Sequence, residues 1–300
     1  MAGYFDGLGA SIKDLARNPV LLVPFILQAI GILLLFVLLL LIGGAIILGR
    51  MGITLQSLTT PESTLAAFAT VSWTPGLIAT IAVVAAAALL IIVLVNAWFT
   101  AGELAMVNDV VEGRRTGGGT FFAGASGLTG RFFLFHVLQA LLLLAAALPL
   151  LLFILLALKS QGVAFVLLAV LFGLLFLAAA LSISVALFFG PPILVRERPF
   201  AWGAIRRSAS LLREKPGHVI LSFLTALVFS MVVSIAIGLI AAPFQALADT
   251  HKGSLSLQLL NFAFTILRNL VYLLISIVAA LFTFRMYVEG WPAPQRKAKK

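Results

Sequence analysis

The chain has 300 residues, of which 62% are hydrophobic and 10% charged, with a formal net charge of +10 and no cysteine. That balance excludes an ordinary soluble domain, whose surface needs far more charge, and the missing cysteine excludes disulfides and thiolate metal sites. The basic residues flank apolar runs and lack interleaved aromatic platforms, so the charge points to anionic lipid headgroups and not to nucleic acid.

The first element is an amphipathic helix. Phe5, Leu8, Ile12 and Leu15 fall on one helical face with Lys13 off it, and Pro19 ends the segment because the residue before a proline disfavours continued helix. Charge-free runs follow at residues 20–49, 75–102, 132–158, 163–195 and 217–248, and a sixth, shorter one at 269–284. A bilayer core of about 30 Å needs roughly 20 apolar helical residues, and backbone groups left unsatisfied in hydrocarbon are costly, so each run predicts a transmembrane helix. The first run is too long for the h-region of a signal peptide, about 7 to 15 residues, and is expected to remain as an anchor. No soluble domain fits between the spans, including the 51–73 loop. The prediction is an all-α, six-helix membrane bundle occupying residues 1–288, with a basic tail at 289–300.

Lys and Arg divide unequally between the two sides. One side carries Lys13, Arg17, Arg114, Arg115, Arg131, Arg196, Arg198, Arg206, Arg207, Arg213, Lys215, Arg285, Arg296, Lys297, Lys299 and Lys300; the other carries Arg50, Lys159 and Lys252. The positive-inside rule then puts both termini in the cytoplasm of a cell-membrane protein.

An internal repeat organises the spans. Phe5, Leu8, Ile12 and Leu15 recur at the same spacing as Trp202, Ile205, Ala209 and Leu212, and Pro19 corresponds to Pro216. Arg206, Arg207, Arg213 and Lys215 make the second copy a candidate lipid-surface helix. A fainter middle copy holds Phe121, Phe122, Ala125 and Leu128, in a stretch whose glycines are expected to loosen it. Three tandem units follow, each an interfacial helix plus a transmembrane hairpin, over residues 1–107, 108–190 and 191–288. They are parallel repeats, unlike the inverted halves of many secondary transporters.

Pro191-Pro192-Ile193-Leu194-Val195-Arg196-Glu197, followed by Ala204-Ile205-Arg206-Arg207-Ser208 and Leu211-Leu212, resembles a pattern in membrane domains associated with glycerophosphoryl diester phosphodiesterases and in related multi-span families. Val110-Val111-Glu112-Gly113-Arg114 resembles the matching link of the preceding repeat. The likeness spans two connections and their flanking helices, and implies the architecture alone. No catalytic barrel is present in the sequence, so the phosphodiesterase activity does not carry over.

Catalytic signatures are missing: there is no Walker loop, His-Glu-x-x-His or Gly-x-Ser-x-Gly motif. No cofactor or metal is expected; His136 and His218 lie near span ends, where hydrated imidazoles are the rule, and Glu103 is read as a solvated span-end carboxylate. Ionisable groups inside lipid are expensive, which singles out Arg268. With Asn261, Thr265, Asn269 and Tyr272 it forms a polar stripe. Two placements fit: a site within a span beginning near Leu259, open to an anionic ligand, or a side chain reaching the outer headgroups. Gln28, Asn96, Gln139, Ser182 and Ser184 are candidates for bonds between helices, and Pro24, Pro149 and Pro243 for kinks. Ser222, Ala226, Ser230, Ser234, Gly238 and Ala242 recur every four residues as a seam of small side chains, suited to a neighbouring helix or a second copy of the chain.

These features favour a non-enzymatic envelope or membrane-organising protein contacting anionic lipids. The alternative is a transporter or channel-like protein for a small, anionic or lipidic substrate. Partners are membrane lipids and either another copy or an unidentified membrane protein.

Overall fold

A computed structural model describes residues 2–53, 63, 71–160, 162–250 and 255–292. The tail cations Arg296, Lys297, Lys299 and Lys300, together with Lys252 and most of the 51–73 loop, lie outside the described residues. In chain order come α1 (Ala2–Arg17), a 3-10 turn (Pro19–Leu21), α2 (Leu22–Met51), α3 (Pro75–Val111), α4 (Gly118–Ser160), α5 (Val163–Leu187), α6 (Gly190–Arg196), α7 (Ala201–Glu214), α8 (Pro216–Thr250) and α9 (Leu255–Gly290). No strand occurs among the described residues.

Six of these helical stretches are long and apolar enough to cross a membrane, Pro19–Met51, Pro75–Val111, Gly118–Lys159, Val163–Arg196, Pro216–Leu247 and Ser256–Gly290, and the chain is an integral, multi-pass membrane protein. Local chemistry sets several ends. Thr74 caps α3 by accepting from the Leu77 amide at 3.2 Å, ahead of Pro75 in the first turn. Gly52 closes α2 in the left-handed conformation, φ 70°, and Gly113 turns the chain after α3 at φ 71°.

The last span is longer than the charge-free run suggests. Leu255–Gly290 is one continuous helix of 36 residues, so Arg268 is enclosed within it and does not mark its start. The middle copy of the repeat also differs: residues around Phe121 and Leu128 are the opening turns of the 43-residue α4, with no separate interfacial helix. One glycine there, Gly124, acts through packing. A β-carbon on Gly124 would collide with that of Ala105, and one on Gly102 would lie 2.5 Å from the Phe121 ring, so the pair permits α3 and α4 to touch closely. Pro149 and Pro243 sit inside continuous helices, whereas Pro24 falls in the first turn of α2.

The buried core is gathered at one end of the bundle. It joins Ala101, Met106 and Val107 of α3, Phe132 and Phe135 of α4, Phe189 before α6, Ile193 and Leu194 of α6, Leu211 of α7 and Ile277 to Met286 of α9. Away from that end the large side chains face outward, as with Leu41, Leu158, Leu174 and Leu239, an apolar surface that only hydrocarbon can solvate. Both α1 and α7 lie at the core end. Gly7 lets α1 settle on α9, since a β-carbon there would come within 2.5 Å of the Met286 methyl. Ala201, Ala204, Ile205, Ser208 and Leu211 bury one face of α7 against α4, α5 and α6. This places α7 as a cap on the helix ends, with its apolar face satisfied by the protein itself and not by lipid.

Candidate anion site at the charged end of the bundle

The ends of α3, α6, α7 and α9 surround a cavity of about 770 Å³. Asn108 and Glu112 come from the end of α3, with Arg114 just beyond it; Arg196 closes α6 and is followed by Glu197 and Arg198; Arg207 comes from α7 and Lys215 from its C-cap. Tyr287, Gly290, Trp291 and Pro292 supply the remaining wall. Pro191 and Pro192 sit in the first turn of α6, where a missing amide costs nothing, and so fix a short helix that aims Arg196 at α3.

Most of the charges in this wall are committed to one another. Arg196 binds Glu112 at 2.8 Å and Asn108 at 3.1 Å. Arg114 pairs with both Asp109 and Glu112. Arg207 binds Glu214 at 2.7 Å and lies 3.9 Å from Glu197, which also accepts from the Tyr287 hydroxyl. The Trp291 indole donates to Glu214 at 3.1 Å. Two cations differ. Lys215 donates to the Gly290 carbonyl at 2.7 Å and lies 5.4 Å above the Trp291 ring, and Arg198 is an exposed residue of the lining; neither has a carboxylate partner among the described residues. Against Arg114, Arg196, Arg198, Arg207 and Lys215 stand Glu112 and Glu197 of the lining and Asp109 and Glu214 paired from behind it, so the remaining excess is positive and favours an anion.

His218 braces the floor. Its Nδ1 is 3.0 Å from the Tyr4 hydroxyl and its Nε2 is 2.9 Å from the Met286 carbonyl, which assigns the proton to Nε2 and makes Tyr4 the donor. The ring stacks on Phe189 and meets Trp291 edge-on. Gly290 is required beside it, since a β-carbon would fall 2.6 Å from Nε2. His136 lies against Phe132 and Phe135, and among the described residues no three metal-ligating side chains converge.

The four basic residues of the lipid-surface segment are divided by the fold. Arg207 and Lys215 turn into the cavity wall; Arg206 and Arg213 are exposed, Arg206 lying 5.4 Å over the Trp202 ring. Along the Arg268 stripe, Asn261, Thr265 and Arg268 are half-buried while Asn269 and Tyr272 are exposed. Arg268 borders an apolar pocket of about 150 Å³ formed with Ile237, Ile240, Ala241, Phe264, Leu267 and Val271, and its Nε has no partner. At a rise of 1.5 Å per residue it stands about 25 Å along α9 from Arg285, close to the full thickness of a bilayer core. Ser222 and Ala226 of the seam are buried, Ser230 and Ser234 half-buried, and Gly238 and Ala242 exposed.

Polar side chains in the spans bond mostly to their own helices: Ser182, Ser184 and Ser230 each donate to the carbonyl four residues earlier at 2.8 Å, as does Thr265 at 2.9 Å. Gln28 and Asn96 do join two helices, at 2.9 Å. Glu103, read from the sequence as solvated, is 3% exposed. With the Gln28 amide turned so that its nitrogen faces the carboxylate, it donates instead to Glu103 at 2.9 and 3.2 Å, and its oxygen faces the Asn96 amide. The signal for this cluster was available: Asn96 and Glu103 are seven residues apart, hence on one helical face, and Gln28 is the polar residue of the adjoining span.

No protein-family model, curated protein or solved structure matches the chain. Its function is therefore argued from its own residues.

Proposed function

We propose that this is a non-enzymatic protein of the cell membrane, with both termini cytoplasmic, whose basic face holds anionic phospholipid headgroups and organises the surrounding leaflet. The carrying observation is the pairing of Arg206 with the exposed Trp202 on the outward side of α7. An indole and a guanidinium side by side suit the membrane interface, where one end of each residue is apolar and the other wet. Phe5 on α1 and Phe122 at the start of α4 are exposed at the same end, at 69% and 62%. Phe5 occupies the position of Trp202 in the repeat, and Phe122 belongs to the fainter middle copy. The transporter reading needs a polar route to Arg268, and the side chains bordering that residue are apolar.

The test is lipid selectivity, read from the fraction of spin-labelled phosphatidylglycerol and spin-labelled phosphatidylcholine immobilised by the protein in bilayers. Anionic lipid should be enriched, and exchanging Arg206 and Arg213 for Gln should reduce the enrichment about fivefold per charge, since one basic residue near the surface contributes about 1 kcal/mol. Equal association of the two lipids would reject the proposal.

A further inference from the structure

We infer that the cavity between α3, α6, α7 and the end of α9 is a binding site for a phosphoryl group, with Arg198 and Lys215 as its principal cations. This deepens the reading above and rests on it only for the side of the membrane that the cavity faces.

The volume, about 770 Å³, is that of a small-molecule site and admits a phosphate together with the group it esterifies. The acidic residues in the wall do not repel such a ligand, because each is already engaged: Glu112 by Arg114 and Arg196, Glu197 by Arg207 and Tyr287. Those pairs also hold Arg196 and Arg207 in fixed directions. What remains uncommitted is positive. The Lys215 ammonium spends one of its three donors on the Gly290 carbonyl and is steadied by the Trp291 ring, leaving two donors for a ligand. Guanidinium and ammonium groups together match the several acceptor oxygens and high charge density of a phosphoryl group better than those of a single carboxylate.

Arg198 gives an independent reason. It is the one non-glycine residue with positive φ among the described residues, at 53°. A side chain with a β-carbon is disfavoured there and glycine would adopt the turn without strain. The chain instead carries a guanidinium in the lining of a cationic cavity, and strained backbone of this kind concentrates at binding sites.

The experiment uses the full chain in phosphatidylcholine nanodiscs, titrated by calorimetry with inorganic phosphate and with dihexanoyl phosphatidic acid, with dihexanoyl phosphatidylcholine as the zwitterionic control. The expected result is saturable binding of at least one of the first two probes. It should weaken tenfold or more in Arg198→Gly and in Lys215→Met, and stay unchanged in Arg50→Gln, whose residue lies in the last turn of α2 and outside the cavity. Arg198→Gly relieves the backbone and should unfold no earlier than the wild type, which separates lost binding from lost fold. Tighter binding of phosphatidic acid than of phosphate assigns a lipid headgroup; equal or weaker binding assigns a soluble phosphate. Absence of saturable binding by both probes, or an unchanged affinity in Arg198→Gly, overturns the inference. Neither failure alters the lipid selectivity expected of Arg206 and Arg213.

Discussion

Arg285, near the end of α9, donates to Asp14 of α1, joining residues 271 positions apart and fastening the first helix of the chain to the last. Both side chains are largely covered, at 26% and 20% exposure, so the pair is shielded from much of the screening that weakens surface bridges. Asp14→Ala should lower stability by about 1.5–3 kcal/mol, the range for a lost hydrogen bond to a charged group. Chemical unfolding in detergent checks this; an unchanged transition would mean that apolar contacts alone seat α1.

Gly102 and Gly238 should respond oppositely to a methyl group. At Gly102 it would meet the Phe121 ring at 2.5 Å and the Phe121 carbonyl oxygen at 2.9 Å, and backbone cannot move aside as a side chain can. Gly102→Ala should therefore cost about 1–3 kcal/mol through overpacking. Nothing lies within 4 Å of the same construction at Gly238, where Ala should be neutral or stabilising by up to about 1 kcal/mol through helix propensity. Gly238→Leu extends the comparison: destabilisation there would reveal a second copy of the chain packed on the seam.

Glu103 should be more sensitive to truncation than to neutralisation. Glu103→Ala removes the acceptor of the half-buried Gln28 amide, at a cost of about 1–3 kcal/mol, while Glu103→Gln retains a partner for it and should cost less. Equal losses in the two variants would show that the carboxylate charge, and not the hydrogen bond, matters.

Arg268 should reach outward. Its distance from Arg285 and its apolar surroundings fit a side chain extending to the far headgroups, with Asn261 and Thr265 half-buried along the same direction. The chain has no cysteine, so Arg268→Cys can be labelled alone. A membrane-impermeant maleimide added outside intact cells should modify it slowly but completely. Protection that persists after the membrane is dissolved would place Arg268 inside the protein.

Much of the architecture is legible in the sequence because the bilayer demands long apolar helices, and charge-free runs report them directly. The errors fall where tertiary contact decides. Arg268 interrupts an apolar run but not a helix, since a charged side chain does not disturb the backbone hydrogen bonds, and α9 begins at Leu255. Gly124 reads as helix-weakening and serves instead, with Gly102, as the contact between α3 and α4. The Arg206–Lys215 stretch has the pattern of a surface helix, yet Arg207 and Lys215 line the cavity while Arg206 and Arg213 lie outside it. The cavity was out of reach: it combines Glu112, Arg198, Lys215 and Trp291, which periodicity within one segment cannot bring together.

The side of the membrane faced by the charged end is the claim on which the rest depends. In the cysteine-free chain, Arg213→Cys on α7 and Lys159→Cys at the end of α4 can be probed with an impermeant maleimide on intact and on permeabilised cells. Cys at 159 should label in intact cells, and Cys at 213 only after permeabilisation. Labelling of 213 in intact cells, with 159 protected until permeabilisation, would contradict the cytoplasmic assignment of the basic face.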